Sequence, residues 1–223
     1  YIPWKGYFDL IAAADELVLY DEVQYTRRDW RNRNRIKTRD GTVWLTIPVA
    51  VKGRYLAPIR EIEASDPEWN VRHWRALAAT YGRARCFRET APLLEELYLG
   101  CRETRLSEIN RRFLAALCGQ LGIGTPLRWS WEYPTSGADG PSERLAEICS
   151  QAGAEVYISG PAARAYLEPE PFAERGIRVE YFDYSGYPEY EQLHPPFDHH
   201  VSIVDLLFNT GSDARRHLLC ART

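Results

Sequence analysis

No methionine occurs among these 223 residues. The chain opens at Tyr1 without an initiator, inside what reads as a functional segment, so residues are expected ahead of it. No apolar run approaches the roughly 20 residues that a membrane-crossing helix needs. No basic-then-apolar leader is visible either, so a cytoplasmic protein without membrane contact is expected. The five cysteines, Cys86, Cys101, Cys118, Cys149 and Cys220, include no Cys-x-x-Cys pair. That pattern speaks against a zinc site and for reduced thiols. Gly-x-x-x-x-Gly-Lys-Ser/Thr and Gly-x-Gly-x-x-Gly are both missing, so neither a P-loop nor the dinucleotide fingerprint is claimed. An excess of positive charge is missing too, the formal net charge being -3. Nucleic-acid affinity rests largely on neutralised phosphates, so the expected partner is a small molecule.

What is present is an ordinary globular mixture, 45% hydrophobic and 26% charged, long enough for one large α/β domain. Phe8, Ile11 and Ala12 fall at helical spacing within Trp4 to Asp15, and Glu16 to Tyr20 reads as a buried strand. Asn34 to Val51 predicts a β-hairpin turning at Asp40-Gly41, with Val43, Leu45, Ile47, Val49 and Val51 on one face. Residues 68–122 form a helical insertion: 68–81, 90–100, and a third helix that Ser107 caps. Leu127 to Tyr133 is a strand, and the Gly/Pro-rich loop Pro134 to Ser142 leads into another helix. Glu155 to Gly160 and Ile177 to Tyr184 are further strands, and Ser202 caps a last helix. Strands alternating with helices predict a three-layer, Rossmann-like α/β sandwich with a largely parallel sheet. A single domain over residues 1–223 is expected.

The unusual segment is YDEVQYTRRDWRNRNRIKT, residues 20–38, with five arginines and a lysine in a chain of slightly negative charge. In open α/β sheets ligands gather beyond the carboxyl ends of strands, which is where this block falls. If Trp30 to Ile36 is extended, Arg31, Arg33 and Arg35 point one way and Asn32 and Asn34 the other. Guanidinium forks suit phosphate or carboxylate oxygens, and carboxamides suit sugar hydroxyls. The plain alternative is a solvated hairpin that blunts an exposed edge. Ser159-Gly160 and the tyrosine-rich tail after residue 181 also follow strands.

His73 has an ordinary pKa near 6.5, which suits a general base or acid at neutral pH; a histidine hydrogen-bonded at the edge of the core is the alternative. Cys149 sits in a helix after a loop, as a nucleophile could, yet lies by Leu145 and Ile148 on an apolar face. His199-His200 lacks a third ligand at zinc spacing, so no metal site is expected.

YIPWKGYFDLIAAADELVLYDEVQYTRRDWRNRNRI, WLTIPV, AEVYISGPAARAYL and SIVDLLFNTG together resemble the WbqC-like protein family nearly end to end. Members usually carry a short apolar strand ending in Gln-Pro ahead of the position of Tyr1, and an aspartate where this chain has Glu22. The resemblance implies a place in bacterial surface-polysaccharide or specialised-metabolite pathways, with an amide-forming acyl or aminoacyl transfer to an amine, favourably an amino sugar. It marks Asp21, Gln24, Arg28, Asn32, Arg33, Asn34, His73, Ser159, Gly160, Tyr166 and Asp205. His73 and Asp21 are assigned the proton transfer. The other marked positions, with Arg35, are assigned to binding an anionic substrate, and Cys149 stands as an alternative nucleophile. No cofactor is fixed; ATP or an acyl or aminoacyl carrier are the candidates, and a carrier protein or another pathway enzyme the candidate partner. The Trp4-Lys5-Gly6-Tyr7 turn also weakly resembles the phosphate-binding turn of adenylyl-transferring enzymes, without its histidines. The alternatives are thus an ATP-dependent ligase and a non-catalytic sugar-nucleotide-binding or docking module.

Overall fold

Pro3 and the extended Trp4 lead the chain into helix α1 (Lys5–Ala12), which buries Phe8 and Ile11 one turn apart. The computed structural model describes residues 1–136 and 140–221. Residues 137–139 of the Gly/Pro-rich loop and residues 222–223 lie outside that description.

Strand β1 (Leu17–Leu19) runs on from α1. It pairs in parallel with β4 (Leu127–Trp129), Leu17 beside Leu127. Strands β2 (Arg33–Thr38) and β3 (Gly41–Thr46) form the expected hairpin, Arg33 opposite Thr46, with Gly41 at φ 114° in the turn. Few residues other than glycine tolerate that backbone conformation. Strands β5 (Val156–Ser159) and β6 (Arg178–Tyr181) make a second parallel pair.

The chain is therefore a mixed α/β fold, but its ladders stay separate. Among the described residues the strands pair two by two and do not join into the continuous parallel sheet that a three-layer sandwich needs. The strand expected over Leu127 to Tyr133 stops at Trp129, because the Glu132 carboxylate accepts the Trp129 N–H at 2.8 Å and winds Ser130–Glu132 into a 3₁₀ turn. Strand β3 likewise ends before Pro48, which has no N–H to give a ladder. Leu45, Ile47 and Val51 are buried, whereas Val43 stands 48% exposed near the hairpin turn.

Helices α2 (Trp69–Tyr81), α3 (Phe87–Leu99) and α4 (Leu106–Gln120) fill the middle. Helix α4 begins one residue ahead of Ser107, which is buried and makes no cap. With α1, the hairpin and α7 (Ile203–Thr210) these helices enclose the main core. Ser202 does cap α7, its hydroxyl accepting the Val204 N–H at 3.4 Å. A smaller core (Ala146, Ala163, Leu167, Phe172, Ile177) gathers α5 (Pro141–Gln151), α6 (Glu170–Ala173), β5 and β6. No helix among the described residues is long and apolar enough to cross a membrane.

Candidate functional site

A cavity of about 680 Å³ opens at the carboxyl end of β1, where the chain leaves Leu19 for Tyr20 and Asp21. Its aromatic walls are Trp4 and Tyr7 from α1 together with Trp30. Trp4 is held in place by near-parallel packing on His200, ring centres 5.8 Å apart, and by Tyr184 at 5.1 Å. Its indole lies across Gly6, whose hydrogen leaves the room; a Cβ at that position would overlap the ring.

The charged side chains of the cavity are Asp21, Asp29, Arg31 and Arg35. Burial pushes the Asp21 carboxyl above its ordinary range, against the pull of the Ser107 hydroxyl and Arg31. The Ser107 oxygen is buried and without a hydrogen bond of standard geometry. Arg31 is paired with Asp29, and its backbone carbonyl takes the Asn110 carboxamide N–H at 2.9 Å. Arg35 donates to the His200 carbonyl at 2.9 Å, tying the arginine block to the tail. Two lining residues keep a buried polar atom without a hydrogen-bond partner, Arg35 Nε and Asn110 Oδ1, while the Tyr20 hydroxyl lies against Arg144. Leaving such atoms unpaired is costly.

The alternation expected in the arginine block is present from Arg31 to Ile36, with Asn32, Asn34 and Ile36 buried and Arg31, Arg33 and Arg35 partly exposed, but Trp30, expected on the asparagine side, is itself exposed. The two asparagines nevertheless spend their donors on the backbone. Asn32 donates to the Ile47 carbonyl and Asn34, which lines the cavity, to that of Ile2, both at 2.9 Å. Gln24 is turned away, donating to the Tyr55 carbonyl at 2.8 Å. Arg28 stands exposed at φ 60°, its carbonyl taking an N–H of Arg33. Arg33 stacks on Trp44 at 4.1 Å outside the cavity.

The expectation of a catalytic His73 needs correcting. Its ring is buried among Tyr1, Trp69 and Tyr98, not in the cavity wall. Nε2 lies 3.1 Å from the Thr46 carbonyl, an acceptor only, so it carries the proton. Nδ1 then accepts from the Tyr1 hydroxyl at 2.9 Å. Burial lowers its pKa to about 4, so the ring stays neutral. Tyr1 does line the cavity; His73 reaches it only by positioning that ring.

Cys149 packs with Leu145 and Tyr157 on the small core, and burial raises its thiol to about 11. A thiol that is protonated at neutral pH is a poor nucleophile. Ser159 ends β5 and Gly160 follows it, both outside the cavity, and Tyr166 stands 72% exposed. Asp205 is fully occupied in the core, accepting from Tyr81 at 2.9 Å, Tyr190 at 2.7 Å and Gln192 at 2.9 Å. Of the expected residues, then, the structure brings Asp21, Asn34 and Arg35 together.

Arg31, read in the sequence only as one of the block's guanidinium forks, is there as well; side chains that had been given no role are Tyr20, Asp29, Trp30, Asn110 and His200. Asn110 had a signal: it interrupts the apolar stripe of Leu106, Phe113 and Leu117 on α4. No group of three His, Cys, Asp or Glu side chains among the described residues gathers as a metal ligand set.

Fold and cavity together define an α/β protein with a charged, aromatic-walled cavity at the end of a parallel strand. The chain belongs to the WbqC-like protein family, whose profile matches residues 1–217. It is 52% identical over 222 residues to a Mycobacterium tuberculosis (strain ATCC 25618 / H37Rv) protein named Uncharacterized protein Rv1507c, the match covering 100% of this chain and 95% of the relative. No solved structure matches it.

Proposed function

We propose that the cavity binds an anionic small molecule and that the chain transfers an acyl or aminoacyl group to an amine. The favoured acceptor is an amino sugar on a nucleotide carrier, in cytoplasmic steps of surface-polysaccharide or specialised-metabolite assembly. The observation that carries this reading is the juxtaposition of a half-buried carboxyl of raised pKa, Asp21, with the guanidinium groups of Arg31 and Arg35 in one cavity wall. A carboxylate whose pKa is raised is a stronger base than one in water. The attacking nitrogen forms its bond to the acyl carbon, its proton passes to Asp21, and the leaving group departs with the bonding electrons. Formal charge supports the order of events. Asp21 and Asp29 balance Arg31 and Arg35 before reaction, so protonating Asp21 leaves one net positive charge as the leaving group becomes an anion. Preorganised charge of this kind stabilises a transition state without a covalent intermediate. The acyl group would arrive activated, through ATP or on an acyl or aminoacyl carrier.

Mass spectrometry of small molecules retained by freshly purified protein identifies the ligand. With that ligand in hand, Asp21→Asn is expected to bind within about threefold of the parent and to lose turnover. Undiminished turnover in Asp21→Asn ends this assignment. Arg35→Ala is expected to weaken binding by on the order of 2 kcal/mol, the range for a charge-assisted hydrogen bond.

A further inference from the structure

Trp30 faces two ways. It lines the cavity, yet it is 55% exposed, and its ring centre lies 5.2 Å from that of Trp44, which is 41% exposed. The two indoles meet at 45°. The Arg33 guanidinium lies 4.1 Å from the Trp44 ring centre and that of Arg35 lies 5.9 Å from it. Arg33 is fixed in turn by the Arg28 carbonyl. Two large rings left in water beside each other need a reason, since proteins rarely leave contiguous apolar surface unused. Blunting a hairpin edge would take charge alone, and the hairpin already presents Arg33, Arg35 and Arg39. The pair instead continues the aromatic wall outward from the cavity mouth. Aromatic rings beside cations form sequence-tolerant platforms for flat ligand rings.

We propose that Trp30 and Trp44 form a stacking subsite at the cavity rim for the ring of a phosphate ester whose phosphate sits between Arg31 and Arg35. The inference rests on the reading of the cavity as an anion site and adds the ligand's second half. The ring is either the base of a nucleoside diphosphate or the pyranose of a sugar phosphate.

Three probes separate these sources: inorganic pyrophosphate, which has no ring; uridine 5′-diphosphate; and N-acetylglucosamine 1-phosphate. Each is titrated by calorimetry into the parent protein, Trp44→Ala and Trp44→Phe. Trp44 lies outside the cavity wall yet beside Arg35, so pyrophosphate binding to each variant is the reference against which the loss of the ring is read. Trp44→Ala should bind one ring-bearing probe about tenfold more weakly, in line with the loss of one stacking contact. Trp44→Phe, which keeps a flat ring, should recover most of that loss. The probe affected tells whether the base or the sugar is stacked. If both ring-bearing probes bind Trp44→Ala as well as the parent while pyrophosphate still binds, the subsite is refuted and the anion site stands. If none of the three binds the parent protein, the anion site fails and the subsite with it.

Discussion

His73 shows how strongly surroundings decide what a titratable residue does. Its ring holds one proton on Nε2 for the Thr46 carbonyl and offers Nδ1 to the Tyr1 hydroxyl. Protonating Nδ1 would put a charge on a ring held out of water, which burial opposes. Folding therefore lowers its pKa from 6.5 to about 4. The unfolded chain takes up a proton first as pH falls, so this contribution to stability is complete above pH 6.5. It is lost between pH 6.5 and about 4, by on the order of 3 kcal/mol for a shift of this size. Denaturant titrations in that window should show a clear slope for the parent and a shallower one for His73→Gln, relative to a control at pH 7.5. Equal slopes would show that His73 is not the group responsible. Asp21 is shifted the other way, so the proposed role as a base predicts for turnover an acid limb with a midpoint above the ordinary aspartate range, and loss of that turnover in Asp21→Asn. Gly6 offers a third test. Gly6→Ala forces Trp4 off the first turn of α1 and out of the cavity wall, so ligand affinity should fall at least tenfold. Helix content by circular dichroism should hold, because alanine favours the helix.

At the scale of elements, what could be read in advance was local. The hairpin, the helices of the middle segment, the cap on α7 and the alternation within Arg31 to Ile36 follow from period, turn chemistry and capping, and each is present. Which way the residues of the arginine block spend their hydrogen bonds could not be read, since it depends on partners far along the chain. Asn34 meets the Ile2 carbonyl and Arg35 meets that of His200, 165 residues away. Asn110 entered the site by the same route, because α4 lines the cavity and sets a polar side chain on the Arg31 carbonyl. Separate pairing of the strands was equally hidden: short apolar runs announce strands but not their neighbours. The element view predicts that Asn110→Leu, which matches the apolar stripe of α4, leaves the fold intact. It should weaken ligand binding severalfold, because Arg31 loses the carboxamide that fixes its backbone; calorimetry against pyrophosphate tests this.

Across the whole molecule the two ends of the chain are fastened to each other, and the cavity lies at that fastening. The Ile203 N–H meets the Pro3 carbonyl at 2.8 Å, and the Ser202 hydroxyl meets that of Ile2 at 2.8 Å. Asp9 does more. Its buried carboxylate accepts the Tyr187 hydroxyl at 2.7 Å and the backbone N–H groups of Leu219 at 3.1 Å and Cys220 at 2.8 Å. Beside it Lys5 is buried under the tail, donating to the Pro188 carbonyl at 3.1 Å with Tyr187, Tyr190 and Phe197 around its ammonium. One carboxylate thus satisfies three donors from segments nearly two hundred residues or more away, and α1, which carries Trp4 and Tyr7, is held by them. Removing it strands those donors away from water, a penalty of about 1–3 kcal/mol for each group left unpaired. Asp9→Ala should therefore cost on the order of 4 kcal/mol in urea unfolding, while Asp15→Ala, exposed just after the same helix, should change stability by less than about 0.5 kcal/mol. Because the tail is released at its contact with α1, protection from hydrogen exchange should fall in Asp9→Ala at 183–200 and 217–221 more than in α4. A uniform loss across the chain would instead make Asp9 an ordinary core group with no special part in closing the two ends over the site.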